Sequence, residues 1–405
     1  MINRERYMRT IRPFMNTEVV KVLTGIRRCG KSVMLRLIQK ELLSTGVLDS
    51  QILSLNFESQ KDTRILNVLT VFEAVQKTVT TNEGKRVYLF FDEIQELKGW
   101  ETLVNSLLVD IDVDIYITGS NAYLLSGELA TYLAGRYIEI KIYPFSFSEV
   151  RALLSTQNDT RTQAQIFQLY LVRGGFPFLY KHPFSDIDVN QYISDIFDSI
   201  ILKDISQRNS VRDIAQLRQL ILYFIANIGN TFSATSLIKY LKNQKRTIST
   251  ETLYNYIEYS RASCLLHLVK RQDLIGKSLL ATQEKIYLAD HGIRQSLYGN
   301  NLRDINQVLE NIVYLELLRR GYEVYVGKVK NSEVDFYAEK PNQKIYVQVS
   351  YLLATEETMQ REFGALESIP DNYPKYVLSM DEFDRSHDGI IHKNIIDFLM
   401  EDDQN

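Results

Sequence analysis

The run Gly25-Ile26-Arg27-Arg28-Cys29-Gly30-Lys31-Ser32 constrains the fold of this 405-residue chain more than any other stretch. It reads G-x-x-x-x-G-K-S, the spacing of a phosphate-binding loop, or P-loop. Its flanks give the match physical content. Val19-Val20-Lys21-Val22-Leu23-Thr24 before it is an apolar strand, and Val33-Met34-Leu35-Arg36-Leu37-Ile38 after it continues as a helix. Strand, glycine loop and helix in that order aim the loop amides and the positive end of a helix dipole at one polyphosphate. Gly25 and Gly30 let the backbone approach oxygens with no Cβ in the way. The expected nucleotide contacts are Gly25, Ile26, Arg27, Arg28, Cys29, Gly30, Lys31, Ser32 and Val33. Lys31 is expected on the outer phosphates, and the Ser32 hydroxyl on a magnesium ion.

The next apolar segments supply partners for such a loop. Residues 52–57 read as a second strand and residues 68–79 as an amphipathic helix. Val87-Tyr88-Leu89-Phe90-Phe91 is an unbroken apolar run, the pattern of a strand buried on both faces of a parallel sheet. Asp92-Glu93 follows at its carboxyl end, with Asp92 expected in the magnesium shell and Glu93 polarising the attacking water. Two solvated acids ending a strand are the plainer alternative. Residues 114–118 make a fourth strand, and Ser120 and Asn121 after it are candidates to sense a γ-phosphate or to cap the next helix. Residues 138–142 close the sheet before Pro144. Arg136, after Gly135, is a candidate to neutralise transition-state charge in cis or from a neighbouring subunit, against the reading of a surface ion pair.

These residues together resemble a known family. Thr24 to Ser32, Phe91-Asp92-Glu93-Ile94-Gln95, Ile117-Thr118-Gly119-Ser120-Asn121, Gly135-Arg136-Tyr137 and Tyr143-Pro144-Phe145-Ser146-Phe147-Ser148-Glu149 are similar to prokaryotic AAA-type P-loop ATPases of the additional-strand class. Those proteins carry a C-terminal domain of unknown function. The resemblance covers nearly the whole chain and implies ATP and Mg2+ as cofactors, with Lys31, Glu93, Asn121 and Arg136 as catalytic residues and Ser32 and Asp92 on the metal. Cys29 departs from the small apolar residue more usual at its position.

Composition bounds the rest. The length suggests about two to four domains. A hydrophobic content of 45% and a charged content of 24% are ordinary for a soluble globular protein. A net charge of −3 provides no global basic field, so contact with nucleic acid would need a local patch. The two cysteines, Cys29 and Cys264, have no metal spacing and fit a reducing compartment. The charged N-terminus lacks a signal-peptide core, and no run approaches the ~20 apolar residues of a membrane helix. The expectation is a cytoplasmic protein with no membrane partner.

The expected architecture is α/β: a P-loop parallel sheet with a helical lid, then a winged-helix domain, then a C-terminal restriction-endonuclease-like α/β domain. The segments are 1–152 for the ATPase core, 160–208 for the lid, 209–300 for the winged helix and 301–400 for the nuclease-like domain. The lid contains Gly174-Gly175-Phe176-Pro177, which also resembles the family. Three helices before a ribbon that turns at Gly276 spell the winged helix, with basic residues Lys239, Lys242, Lys245, Arg246, Arg271 and Lys277 around it. DNA contact through its backbone and a purely structural role both remain open. In the last segment Glu310, Asp335 and Gln348 resemble the acid, acid and glutamine of a nuclease fold, in a helix opening near Glu310 and in strands 333–337 and 344–349. The lysine expected two positions after Gln348 is Ser350. Without a cation there, activated water and the pentavalent phosphate lose a principal support, so the site reads as vestigial unless another cation replaces it.

Two functions stay in view. One is ATP hydrolysis coupled to DNA or a DNA-bound complex. The other is a slow nucleotide switch controlling a protein partner or self-assembly, including a homo-oligomer.

Overall fold

The structure is a computed structural model that describes residues 2–59, 67–121, 133, 135–243, 248–276, 278–299, 302–330 and 332–401. Lys245, Arg246 and Lys277 lie outside the described residues. The chain divides into two compact units, Met1–Pro144 with Ala262–Cys264, and Phe145–Arg261 with Leu265–Asn405. No helix among the described residues is long and apolar enough to cross a membrane.

The first unit is built on a parallel sheet of β1 (Val20–Thr24), β2 (Ile52–Asn56), β3 (Val87–Asp92), β4 (Val113–Gly119) and β5 (Tyr137–Lys141). Their order is β2-β3-β4-β1-β5. Every residue of β1, β3 and β4 is buried, whereas the edge strands β2 and β5 are only partly so. The continuous apolar runs read from the sequence are thus the three central strands, covered on both faces. β4 lies between β1 and β3. The helices Lys31–Ser44, Val68–Thr81 and Trp100–Asp110 make the crossovers.

One feature of this sheet defies its apolar pattern. Lys21 of β1 and Asp114 of β4 are both fully buried and form an ion pair. Asp114 also accepts hydrogen bonds from the Asn16 N–H at 2.8 Å and the Tyr116 hydroxyl at 2.9 Å. Burial pushes the Lys21 amine down, opposed by the charge of Asp114. Removing one member of such a pair leaves the other charge uncompensated. Asp114→Ala is therefore expected to destabilise the first unit by about 3–5 kcal/mol in chemical denaturation, a penalty that Lys21→Met in the same chain should relieve.

The second unit holds a mixed sheet ordered β12-β11-β10-β9-β8-β6-β7. Its strands are β6 (Leu266–Asp273), β7 (Ser278–Leu288), β8 (Glu323–Val329), β9 (Ser332–Lys340), β10 (Gln343–Val349), β11 (Lys375–Ser379) and β12 (Ile390–Asn394). The helices Ile214–Ala226, Ala234–Asn243 and Thr250–Ala262 precede an antiparallel β6–β7 ribbon, the element order the sequence suggested. The ribbon is not free-standing, however. β6 pairs in parallel with β8 through Arg271↔Val326, so one sheet runs across residue 300. Arg271, expected on an exposed wing, is buried and lies 3.4 Å from Glu333. The helix expected to open near Glu310 starts earlier, at Ile305–Arg319, which puts Glu310 in its second turn.

Gly174 and Gly175 sit where the chain closes on itself within this unit. A Cβ on Gly175 would meet Phe145 O at 2.3 Å, and one on Gly174 would meet Asp290 Oδ1 at 1.9 Å. Asp290 is buried and accepts the N–H of Gly175 at 2.7 Å and of Gly292 at 2.8 Å. Burial pushes its carboxyl up to about 7, against those two N–H donors and the charge of Arg319. The adjacent His291, pushed down to about 4 by burial, is neutral at that pH. An acid with a raised folded pKa holds a proton that the unfolded chain releases, so its stabilisation is lost as pH rises through the folded value. Wild type is expected to lose stability relative to Asp290→Asn as pH rises from about 4 to about 7, with the difference between them constant beyond, in denaturation midpoints across that range.

Candidate functional site

Parallel strands put their carboxyl ends along one edge, and the glycine loop, Asp92, Glu93, Ser120 and Asn121 all leave the sheet there. The glycine loop leaves β1 after Thr24. Gly25 has φ +147°, and a Cβ on it would come 2.1 Å from Ile142 O. Gly30 (φ +108°) precedes the helix Lys31–Ser44, whose amino end faces the loop. Arg4, buried near the N-terminus, donates to Cys29 O at 3.3 Å and Tyr143 O at 2.9 Å and so braces the loop from behind. Nothing in the sequence marked Arg4. The Cys29 thiol is fully buried and its pKa is pushed up by that burial, so it acts as a small filler rather than a reactive group.

Lys31 Nζ donates to Gly25 O at 3.0 Å and Ile26 O at 3.4 Å, and lies 3.7 Å from Glu93 Oε1. Asp92 ends β3 and is buried. Thr118 donates to its Oδ1 at 2.6 Å, Asn56 to its Oδ2 at 3.3 Å, and Ser32 is a further hydrogen-bond partner. Burial pushes the Asp92 carboxyl up, while the bonds from Thr118 and Ser32 pull it back. A buried carboxylate beside a serine hydroxyl is an oxygen donor set that suits magnesium. Glu93 takes a left-handed backbone (φ 54°), uncommon for a side chain of its size. Its N–H donates to Thr118 Oγ1 at 2.9 Å, and Gln95 donates to its Oε2 at 2.6 Å.

Thr118 is thus the residue the sequence reading missed. Its one hydroxyl accepts from the Glu93 backbone and donates to the Asp92 carboxylate. The available signal was a hydroxyl at the end of an otherwise apolar strand. Ser120 and Asn121 leave β4 at the same edge and are buried, with exposures of 0% and 3%. Arg136 does not join them. It precedes β5 where Val20 N–H donates to its carbonyl at 3.0 Å, the amino end of β1. Four residues of strand separate that point from Thr24, about 13 Å. Its guanidinium donates to Asn105 Oδ1 at 2.8 Å. In this arrangement its side chain is directed to Asn105 rather than to this chain's own loop.

The second unit has a separate polar cleft of about 640 Å³ that contains Glu310, Asp335 and Gln348. Gln348 Oε1 accepts the Asp335 N–H at 3.0 Å, and Asp335 Oδ2 accepts the Val349 N–H at 2.9 Å. Lys285 of β7 enters the same cleft, its Nζ 2.9 Å from Glu333, 3.4 Å from Glu310 and 3.5 Å from Asp335. Burial works against the Lys285 charge, yet Glu310, Asp335 and Glu333 together hold its pKa above the ordinary lysine value. Burial pushes the Glu310 and Asp335 carboxyls up, and Lys285 opposes it at both. Tyr287 also donates to Glu310 at 2.9 Å. No motif or spacing joined Lys285 to residues 25, 50 and 63 positions further on.

Thr118→Val keeps the shape of the strand and removes both hydroxyl bonds. The change is expected to cost about 1–3 kcal/mol in the first unit's denaturation, because two buried groups lose a partner. Thr118→Ser should recover most of that loss.

Residues 17–151 match an AAA domain, and residues 164–304 match a Domain of unknown function (DUF8612). An uncharacterized protein of Haemophilus influenzae is 37% identical over 403 residues, 99% of each chain. An uncharacterized protein of Methanocaldococcus jannaschii is 30% identical, over 86% of this chain and 78% of its own. Among solved structures, a Walker-type ATPase of Pyrococcus abyssi aligns with 73% of this chain and 96% of its own at 14% identity and a TM-score of 0.47. With relatives of that identity and length, the chain belongs to the family of these bacterial and archaeal proteins, and in it the match to an AAA domain is followed by the match to the domain of unknown function.

Proposed function

We propose that the chain hydrolyses ATP with magnesium in the first unit. The observation that supports this most is the Thr118 hydroxyl, which ties Asp92 and Glu93 into one array whose Glu93 carboxylate lies 3.7 Å from Lys31 Nζ. The loop amides from Gly25 to Val33 wrap the phosphates, and the Lys31 ammonium exchanges the Gly25 and Ile26 carbonyls for outer phosphate oxygens. Ser32 and Asp92 are the residues to hold magnesium, which would supply positive charge to the β- and γ-phosphate oxygens. Glu93, with Oε2 fixed by Gln95, takes a proton from water as its oxygen bonds the γ-phosphorus and the bond to the bridging oxygen breaks. Asn121 senses the γ-phosphate. Arg136, far from its own loop, serves the nucleotide of a neighbouring copy, which makes a homo-oligomer the active form.

In this reading residues 160–208 act as a lid, 209–300 as a winged-helix module, and 301–400 as a nuclease-like domain. Coupling to DNA through the ribbon has one observation against it, the burial of Arg271 against Glu333. That observation favours the second reading, a slow switch whose nucleotide state controls a protein partner or assembly.

Steady-state phosphate release by the purified chain, with and without single- and double-stranded DNA, separates these readings. Glu93→Gln is expected to keep ATP binding and lower kcat by about 10²–10⁴-fold. Lys31→Ala should weaken ATP binding itself. Turnover raised several-fold by DNA supports the DNA-coupled reading, and slow turnover indifferent to DNA supports the switch. A rate unchanged by both substitutions would sink the site assignment.

A further inference from the structure

The cleft of the second unit contains a constellation that ATP hydrolysis does not use. We propose that it is a divalent-cation-dependent site for phosphodiester hydrolysis, with Glu310 and Asp335 as metal ligands and Lys285 of β7 filling the role that Ser350 cannot.

Three features of the cleft support this. The first is convergence. Glu310 comes from the helix Ile305–Arg319, Asp335 from β9 and Lys285 from β7, and their side chains are 12%, 12% and 5% exposed. Lys285 Nζ lies 3.4 Å from one carboxylate and 3.5 Å from the other, so an ammonium bridges two hard oxygen ligands. A cation there is what the sequence lacked at position 350.

The second is a hydrogen-bond donor with nothing to bind. Gln348 is 7% exposed and lines the cleft. The atom facing the Asp335 N–H must be its carbonyl oxygen, because an N–H needs an acceptor. Among the described residues its NH2 group then has no partner, and it is available to an anionic oxygen. Glu310 Oε1 likewise has no hydrogen-bond partner among the described residues. The third is charge. Arg271 lies 3.4 Å from Glu333, and Lys285 is shared among Glu333, Glu310 and Asp335, so three carboxylates face two cations. A divalent cation resolves that anionic excess. Arg361 at the lip, its side chain 67% exposed, is paired with Glu362 at 2.6 Å and would have to exchange that carboxylate for a phosphate to contact one. A volume of about 640 Å³ is within the range of sites that hold nucleotide-sized ligands.

Glu310 and Asp335 would hold the cation, which would supply positive charge to the phosphate oxygens; Glu333 takes a proton from the attacking water as that water's oxygen bonds phosphorus. The bond from phosphorus to the leaving alkoxide oxygen breaks, and a second water protonates that oxygen. Products are a phosphate monoester and an alcohol. Lys285, held charged by its acids, donates to the phosphorane oxygens and takes no proton.

The full chain would be assayed with Mn2+ or Mg2+ on bis(4-nitrophenyl) phosphate, on circular DNA and on single-stranded RNA. The expected result is cleavage that chelation abolishes and that falls at least about 10²-fold in Glu310→Gln, Asp335→Asn and Lys285→Gln. Should Lys285→Gln fail to fold, the other two decide, since each removes a negative charge from a crowded site. Calorimetric titration with Mn2+ should detect an ion bound by wild type and lost in Glu310→Gln. Which polymer is cut identifies the natural phosphodiester. No metal-dependent cleavage of any of the three substrates, or cleavage that survives both Glu310→Gln and Asp335→Asn, overturns the proposal.

Discussion

A parallel strand buried on both faces leaves only its ends for polar chemistry, and the first unit depends on that constraint. β1, β3 and β4 are buried along their whole lengths, so their backbone groups pair within the sheet and most of their side chains are apolar. Polar groups are tolerated where each strand leaves the sheet. The glycine loop, Asp92 and Thr118 are therefore neighbours because they occupy the same position on three adjacent strands. The Thr118 hydroxyl converts that proximity into fixed geometry, with one bond received and one given. At the opposite end, Lys21 and Asp114 are kept inside the sheet only because each answers the other's charge.

The second unit reaches a polar cleft by a different route. Its sheet is mixed, and the antiparallel ribbon β6–β7 continues into the parallel pairing of β6 with β8. Lys285, 25 residues before Glu310 in the chain, comes to lie against Glu310 and Asp335 only through that sheet. The same pairing turns Arg271 inward against Glu333. A residue that looked like a DNA contact and a residue that looked like nothing thus exchange significance. Close approach matters here too: Gly174 and Gly175 leave no room for a side chain against Asp290 and Phe145.

The two sites differ in how their charges are satisfied. At Asp92 the compensation is local and mostly neutral, from the Thr118 and Ser32 hydroxyls and the Asn56 amide. In the second cleft it is ionic, with an ammonium set among carboxylates. Neutral donors leave a carboxylate able to take a cation without displacing a charged partner, whereas the acids around Lys285 outnumber it.

Sequence by itself determined the local features. The Gly25–Ser32 loop, the strand ending in Asp92-Glu93 and the apolar central strands follow from spacing and periodicity, because each is made by residues adjacent in the chain. The expectation of a bound nucleotide follows as well, since a phosphate loop needs only its own backbone and the helix after it. The tertiary structure decided the pairings between distant residues. It set Thr118 between Asp92 and Glu93, braced Cys29 with Arg4, moved Arg136 to the far end of the sheet and brought Lys285 to Glu310 and Asp335. Period and propensity specify which face a side chain takes but not which strand lies beside it. Strand order is set by the packing of whole elements, and the contacts that complete both sites cross from one strand to another.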